Sequence, residues 1–356
     1  MNVMSLEAAA SSEDRVGAMK ALTDKLIEAS DIDGLKKVIE HELDNEVPLV
    51  ASRPVLNYLS AASEKLGNDE LRSLASFAIE AIQPRVVSFE EADATFRDHM
   101  CEVLIADENF TAAAKVLAGT NMESGTRGVT DQVKAQHYVR IAELFLQDDE
   151  PVDAEIYLNR ASQSVSACED WVLQMRYQVS VARILDSKRK FIEAAVKYHQ
   201  LSQTQQLEIQ EDDILDLLNH AITCAILSKA GPQRSRILGT LFKDERARMS
   251  PHHGVLAKMY TGRLLRREEV RAFEESLMPH QKASLADGST VVDRAVSEHN
   301  MVAVSHLYHH VALSELATLL DLDADRAERI AARMIAEDRL SATIDQRAGL
   351  LSFQQD

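Results

Sequence analysis

Three segments of the chain superimpose without a gap. They are "CEVLIADENFTAAAKVLAG" from Cys101, "AELFLQDDEPVDAEIYLNR" from Ala142 and "ARILDSKRKFIEAAVKYHQ" from Ala182, at offsets of 41 and 40 residues. A small residue opens each one (Cys101, Ala142, Ala182), and another recurs past the middle (Ala113, Ala154, Ala194). An apolar pair follows the first small residue: Val103/Leu104, Leu144/Phe145, Ile184/Leu185. A polar turn comes next, then Phe110, Pro151 or Phe191, and finally Leu117, Leu158 or Tyr198. The pattern predicts the end of one helix, a short turn and a second helix. Small residues let the two helices approach, and the larger apolar residues form the stripe that faces a neighbour. Pro151 stands where a helix begins, a site whose N–H has no intrahelical partner. A period of about 40 residues lies in the HEAT/armadillo range. Each hairpin of this kind buries its face only against the next. The expected fold is therefore all-α, a right-handed helical-repeat (TPR/HEAT-like) solenoid.

The pattern extends in both directions with a weaker register. Residues 53–67 and 68–83 read as an earlier pair of helices, and 211–231 and 232–247 as a later pair broken at Gly231-Pro232. Loops are expected at 124–131, 250–254 and 278–289. Thr290 is placed to cap the following helix, with Asp293 three residues on, as in a capping box. With only 7 Pro and 12 Gly in 356 residues, an all-β chain with many turns is disfavoured, and 46% hydrophobic residues supply a core.

The C-terminal stretch changes character. "VVDRAVSEHNMVAVSHLY" predicts one helix and "SELATLL" a second, capped by Ser314 with Leu316, Ala317, Leu319 and Leu320 inward. Asp321-Leu322-Asp323 makes a turn. A third helix carries Ala327, Ile330, Ala331, Met334 and Ile335 on one stripe. "LSATIDQRAGLLSF" then reads as two short strands, Ser341–Asp345 and Leu350–Phe353. Three helices and a small β-hairpin make a winged helix, a helix-turn-helix variant. DNA readers present the start of the third helix to the bases, but here that start carries Asp323 and Asp325. The acids Asp323, Asp325, Glu328, Glu337 and Asp338 outnumber Arg326, Arg329, Arg333 and Arg339 across the helix. The whole chain has a formal charge of −18, from 39 basic and 57 acidic side chains. Phosphate contacts need clustered cations, so nucleic acid is an unfavoured partner and protein a favoured one. The exposed edge of a short strand invites pairing with another chain. The wing residues Ser341, Thr343, Ile344, Leu350, Leu351 and Phe353 are the expected subunit contact, and Thr343→Pro is expected to remove an edge N–H.

No constellation for catalysis stands out, and no cofactor is expected. Cys101, Cys168 and Cys224 are too scattered for a disulfide framework or a zinc site; they read as buried thiols in a reducing compartment. His306, His309 and His310 in "HLYHH" fall on one predicted helix, but no carboxylate or cysteine set accompanies them. "SPHHG" reads as a loop. "GPQRSRI" is one glycine ahead of a helix whose N-terminus could hold an anion beside Arg234 and Arg236, with ion pairs to acids of a neighbouring helix the favoured expectation, and "LFKDER" reads as a solvated helix end. Trp171, the single tryptophan, opens a helix by core or cap packing. The first residues lack the basic and long apolar segments of a signal peptide, and no apolar run reaches the roughly 18 residues that span a bilayer.

A helical solenoid ending in an acidic winged helix resembles the PCI-domain family, the scaffolds of the proteasome lid, the COP-9 signalosome and translation initiation factor three. "PLVASRPVL", "IQPRVVSFEE", "DDEPVDAEIYLNRAS", "RILDSKRKFIEAA", "GPQRSRILGTLFKDER", "MPHQKASLADGSTVVDRAVSEHN" and "MIAEDRL…IDQ" are similar to the signalosome branch. These are many long stretches in order, from Val47 to Phe353, rather than one motif. The resemblance implies an N-terminal arm (1–189), a helical part (190–290) and a winged-helix part (291–356) of a PCI domain. It implies a non-catalytic scaffold, cytoplasmic and nuclear, that supports the removal of a ubiquitin-like modifier from cullins. The implied partners are other PCI subunits, a metalloprotease-like pair and cullin–RING ligases. The zinc isopeptidase of that complex uses a His-x-His motif, and no His-x-His occurs in this sequence. The family is expected to continue past the wing into a tail helix that joins a bundle; the sequence given runs to "SFQQD".

Overall fold

The computed structural model describes residues 12–123, 128–204, 210–285 and 288–354. The first eleven residues, four in the loop expected at 124–131, and Ala286 and Asp287 before Thr290 lie outside the described residues. The chain divides after Tyr177 into two compact units.

The first unit holds α1 (Ser12–Glu28), α2 (Ile32–Glu42), α3 (Leu49–Ala62), α4 (Asn68–Ile82), α5 (Glu90–Ala106), α6 (Phe110–Ala118), α7 (Asp131–Gln147) and α8 (Pro151–Ala167). From α4 to α8 each helix packs on the next in sequence, the arrangement expected of stacked hairpins. Leu35, Ile39, Leu56, Leu59, Leu74 and Ile82 fill the core of the first four helices. α9 (Trp171–Ser187) carries the boundary between the units.

The small residues of the repeat sit where the helices touch. Cys101, Ala142, Ala182, Ala113, Ala154 and Ala194 are all fully buried. The turns repeat as well. Glu108, Asp149 and Arg189 each adopt a left-handed conformation, with φ of 58°, 55° and 59°. The residue after each one donates its N–H back to the carbonyl five residues earlier. Those bonds, Asn109 to Leu104, Glu150 to Phe145 and Lys190 to Leu185, are all 2.9 Å. This is the closure that satisfies otherwise orphaned carbonyls at a helix end. The α1–α2 turn uses the same device, with Ser30 at φ 51° and Asp31 bonded to Leu26 at 2.9 Å. It is a general helix ending, found again at Asp321 and Asp338 in the C-terminal part of the chain.

The second unit continues with α10 (Phe191–Ser202), α11 (Glu211–Leu227), α12 (Pro232–Lys243), α13 (His253–Tyr260) and α14 (Arg267–Glu275). His253 and Gly254, expected in a loop, already belong to α13. Nor is "LFKDER" a solvated end. Asp244 accepts bonds from the backbone and side chain of Arg246 and from Gln203, and Arg246 reaches the Ser202 carbonyl at 2.7 Å. These bonds to Arg246 hold the Asp244 carboxyl down at a pKa of about 2.

The winged-helix module follows: α15 (Val291–Ser305), β1 (His310–Ala312), α16 (Leu313–Leu320), α17 (Ala324–Ala336), β2 (Ala342–Asp345) and β3 (Leu350–Phe353). Thr290 and Asp293 form the expected capping box, with both bonds at 3.0 Å. α15 ends at Ser305, so the predicted first helix is shorter than its apolar pattern suggested. α16 starts one residue before the expected cap; Ala312, not Ser314, precedes it, and no side chain caps it. The expected hairpin forms from β2 and β3, and β1 extends it to a three-stranded sheet in the order β1-β3-β2. Met301, Val311, Leu316, Ile330, Met334 and Leu351 lie at the centre of its core.

Candidate docking surface

β3 is the middle strand, so its backbone is paired on both sides. Gln354 donates its N–H to Ser341 at 2.8 Å, while Phe353 donates to His309 at 2.8 Å. Bonded pairs alternate along an antiparallel ladder. Thr343, opposite Ser352, therefore turns its N–H and C=O toward β3. Ala342 and Ile344 turn theirs to the other side, and no described strand pairs there. Thr343→Pro would consequently remove an inward bond rather than an edge donor, which corrects the expectation above. The open edge groups belong to Ala342 and Ile344. Sequence pattern alone does not fix this parity; it depends on which pair closes the turn.

The side chains of the six expected contact residues divide between two faces. Ser341, Thr343 and Leu350 point outward, Leu350 being 38% exposed. Leu351 and Phe353 are buried in the module's own core, and Ile344 packs against it. The wing thus offers an outer face and one strand edge. At its turn, Asp345 accepts the N–H groups of Arg347 and Ala348, both at 3.0 Å, and Gly349 takes φ 62°. Gln346 reaches Glu328 of α17 at 2.6 Å, fastening the turn to the helix.

Four consecutive polar residues of α15, Ser297, Glu298, His299 and Asn300, are buried, and the last three join the module to the turns before α12 and α14. Glu298, fully buried, accepts from Arg339 at 2.7 and 3.1 Å and from the Ala230 N–H at 3.0 Å. Arg339 also donates to the Ala230 carbonyl at 3.2 Å. His299 donates Nε2–H to the Arg263 carbonyl at 2.8 Å, and burial pushes its pKa down to about 4. Asn300 pairs with both backbone groups of Leu265, each at 2.9 Å. Sequence reading missed this joint. Its signal was a run of four polar residues inside an otherwise apolar helix, too wide for one solvated stripe.

The remaining candidates have structural surroundings. Arg234 is buried against the carbonyls of Ser228 and Ala295, not paired with an acid as expected, while Arg236 is exposed. His306 follows the end of α15, and His310 opens β1 with its ring on Ser352 at 2.8 Å, so the three histidines do not share a helix. His252 meets Phe273 edge-on and His253 stacks on Phe242. The cysteines are free and buried; burial pushes the Cys101 thiol up to about 11 and raises Cys224 strongly, which suppresses the thiolate. Trp171 opens α9 as expected, and Asp170 caps that helix by accepting the Leu173 N–H at 3.1 Å. Among the described residues no cluster could hold a metal ion, and no helix is long and apolar enough to cross a membrane. Arg339, just past α17, bonds Glu298, and Arg333 of α17 lies 3.9 Å from the same carboxylate.

Helical hairpins followed by a winged helix with an open strand edge define a PCI-type subunit. The PCI domain model matches residues 271–355, and the model described as "PSMD12/CSN4, N-terminal" matches residues 3–212. A COP9 signalosome complex subunit 4 of Arabidopsis thaliana is 42% identical over 96% of this chain and 87% of its own. Those of Drosophila melanogaster and Dictyostelium discoideum are 41% and 39% identical, over 91% and 94% of this chain and 79% and 84% of theirs. The chain belongs to the COP9 signalosome subunit 4 family.

Proposed function

We propose that the chain is a non-catalytic scaffold of the COP9 signalosome, acting in the removal of the ubiquitin-like modifier from cullins by holding other subunits in place. The observation that carries this reading is the open edge of β2 on a winged helix that buried polar bonds fix to its neighbouring helices. Another PCI subunit adds a strand at that edge, using the N–H and C=O groups of Ala342 and Ile344. The metalloprotease-like pair and cullin–RING ligases are the further partners, and the complex works in cytoplasm and nucleus.

The test is a tagged pull-down from the protein's own cells, read by mass spectrometry, for the parent chain and for Ile344→Pro. Proline there deletes an outward N–H while the inward ladder is kept. Signalosome PCI and metalloprotease subunits should accompany the parent, and the neighbouring PCI subunit should be depleted with Ile344→Pro. Equal recovery by both would refute the edge assignment. Proteasome ATPases in place of signalosome subunits would refute the complex assignment.

A further inference from the structure

A chain with a formal charge of −18 carries, in its second unit, a trough lined by cations. The trough is two cavities that share Ile192, Glu193 and Gln233. The first, of about 640 Å³, gathers Arg189, Lys190, Lys229, Arg234, Arg294 and Arg339 between the α9–α10 turn, the α11–α12 turn and α15. The second, of about 710 Å³, continues along α10 and α12. Its walls carry the apolar Val181, Leu185, Val196 and Ile237, with Lys197 and Arg236 beside them.

Among the described residues, carboxylates do not balance these cations. Glu298 is occupied by Arg339 and the Ala230 N–H. Glu193 lies 3.9 Å from Lys190, and Glu337 holds Arg339 at 2.7 Å and lies 3.9 Å from Lys229. Arg234, only 4% exposed, bonds carbonyls alone. Arg294 donates Nη2–H to the Leu227 carbonyl at 3.4 Å, and its buried Nε has no partner. Burial and repulsion from neighbouring guanidinium groups lower the pKa of both Arg234, to about 10, and Arg294. α12 begins at Pro232 on the wall of the same cavity, adding the positive end of its dipole.

A compact anion would satisfy the first cavity and leave the apolar walls of the second uncovered. An extended chain bearing both carboxylates and apolar side chains matches the two together. We propose that this trough docks an acidic, leucine-bearing peptide segment of a partner protein, with its carboxylates over Arg189 and Arg294 and its apolar side chains against Val196 and Ile237. The contact is separate from the β2 edge and stands or falls independently of it.

Fluorescence anisotropy on the full chain tests this with three short labelled peptides. One alternates glutamates and leucines; the second has glutamines for the glutamates; the third has serines for the leucines. Arg189→Glu and Val196→Asp alter exposed positions, Val196 being 37% exposed, and circular dichroism checks that both variants fold like the parent. The glutamate–leucine peptide should bind saturably, and the other two about tenfold more weakly or worse. Each variant should weaken the glutamate–leucine peptide by about tenfold or more. No binding of that peptide, or binding unchanged in the two variants, would overturn the proposal. So would equal binding of the serine peptide, or displacement by an equal concentration of tripolyphosphate, since either marks a simple anion site.

Discussion

Glu298 offers the sharpest test of how the winged helix is held. It is fully buried, accepts two bonds from Arg339 and one from the Ala230 N–H, and lies 3.9 Å from Arg333. Glu298→Ala leaves the Arg339 guanidinium, which is 12% exposed, with the more exposed carboxylate of Glu337 at 2.7 Å as its one acid partner. Breaking one side of a buried ion pair costs about 3–5 kcal/mol. The Ala230 N–H, left without an acceptor, adds about 1 kcal/mol. Because Glu337 still holds Arg339, the expected loss for the second unit falls below that sum, at about 3–5 kcal/mol. Glu298→Gln keeps an acceptor and the shape, and should cost about 2–4 kcal/mol. The double substitution Glu298→Met with Arg339→Met removes both charges and should cost less than either single change, because an apolar pair carries no desolvation penalty. The assay is urea unfolding followed by far-ultraviolet circular dichroism. Hydrogen exchange across residues 291–353 reads the module separately, since two units need not unfold together. A Glu298→Ala loss below about 1 kcal/mol would refute the reasoning. A double variant whose loss equals the sum of the singles would also refute it, because contacting partners must show coupling.

Other consequences can be checked in the same unfolding assays. His299 is neutral in the fold, with a pKa of about 4 against 6.5 in the free chain, so between those values the unfolded state binds more protons. Its contribution, on the order of 3 kcal/mol, is full above pH 6.5 and disappears as pH falls toward 4. Burial lowers His199, His220 and His252 as well, so His299→Gln should flatten the pH dependence between 7 and 5 only in part; an unchanged slope would assign it elsewhere. Thr290→Ala should cost about 1 kcal/mol through the lost cap, seen as a lower urea midpoint. In the first unit, a methyl group on Gly119 would fall on the buried Arg97 guanidinium, which holds Asp93 at 2.8 Å and the Val116 carbonyl at 3.1 Å. Gly119→Ala should therefore cost about 2–4 kcal/mol, and adding Arg97→Met should recover part of it. Asp149→Gly relieves a left-handed residue and should raise stability by about 0.5–1 kcal/mol.

The helical repeat was legible because close helix contact demands small side chains, and small side chains at a fixed period survive as a pattern. Ala113, Ala154 and Ala194 were readable in this way, and all are fully buried. The turn of the first hairpin was not, because the left-handed closure at Ser30 is one that many residue types permit. β1 was hidden for a different reason: three residues, His310–Ala312, are too few to show a period, and the histidines before them continue the apolar rhythm of α15. The faces of the wing side chains follow alternation and could be read once the strands were placed. The direction of the Thr343 N–H could not, because one residue of register reverses it. Least legible was the joint at Glu298, whose partner Arg339 lies 41 residues away and whose other partner, Ala230, is 68 residues away in the opposite direction.

That joint also explains how a small module can serve as a scaffold. Consecutive residues on a helix point about 100° apart. Glu298 leaves α15 toward Ala230 and Arg339, while His299 and Asn300 reach the 263–265 stretch. A helix held by one apolar stripe can roll on its neighbour, since hydrophobic contact is not directional. A helix bonded on two sides cannot roll without leaving a buried donor or acceptor unpaired, at about 1–3 kcal/mol for each. These bonds thus fix the rotation of α15, and with it the direction in which β2 presents its open edge. The same residues that stabilise the module would also set the angle of approach for a strand paired as proposed above.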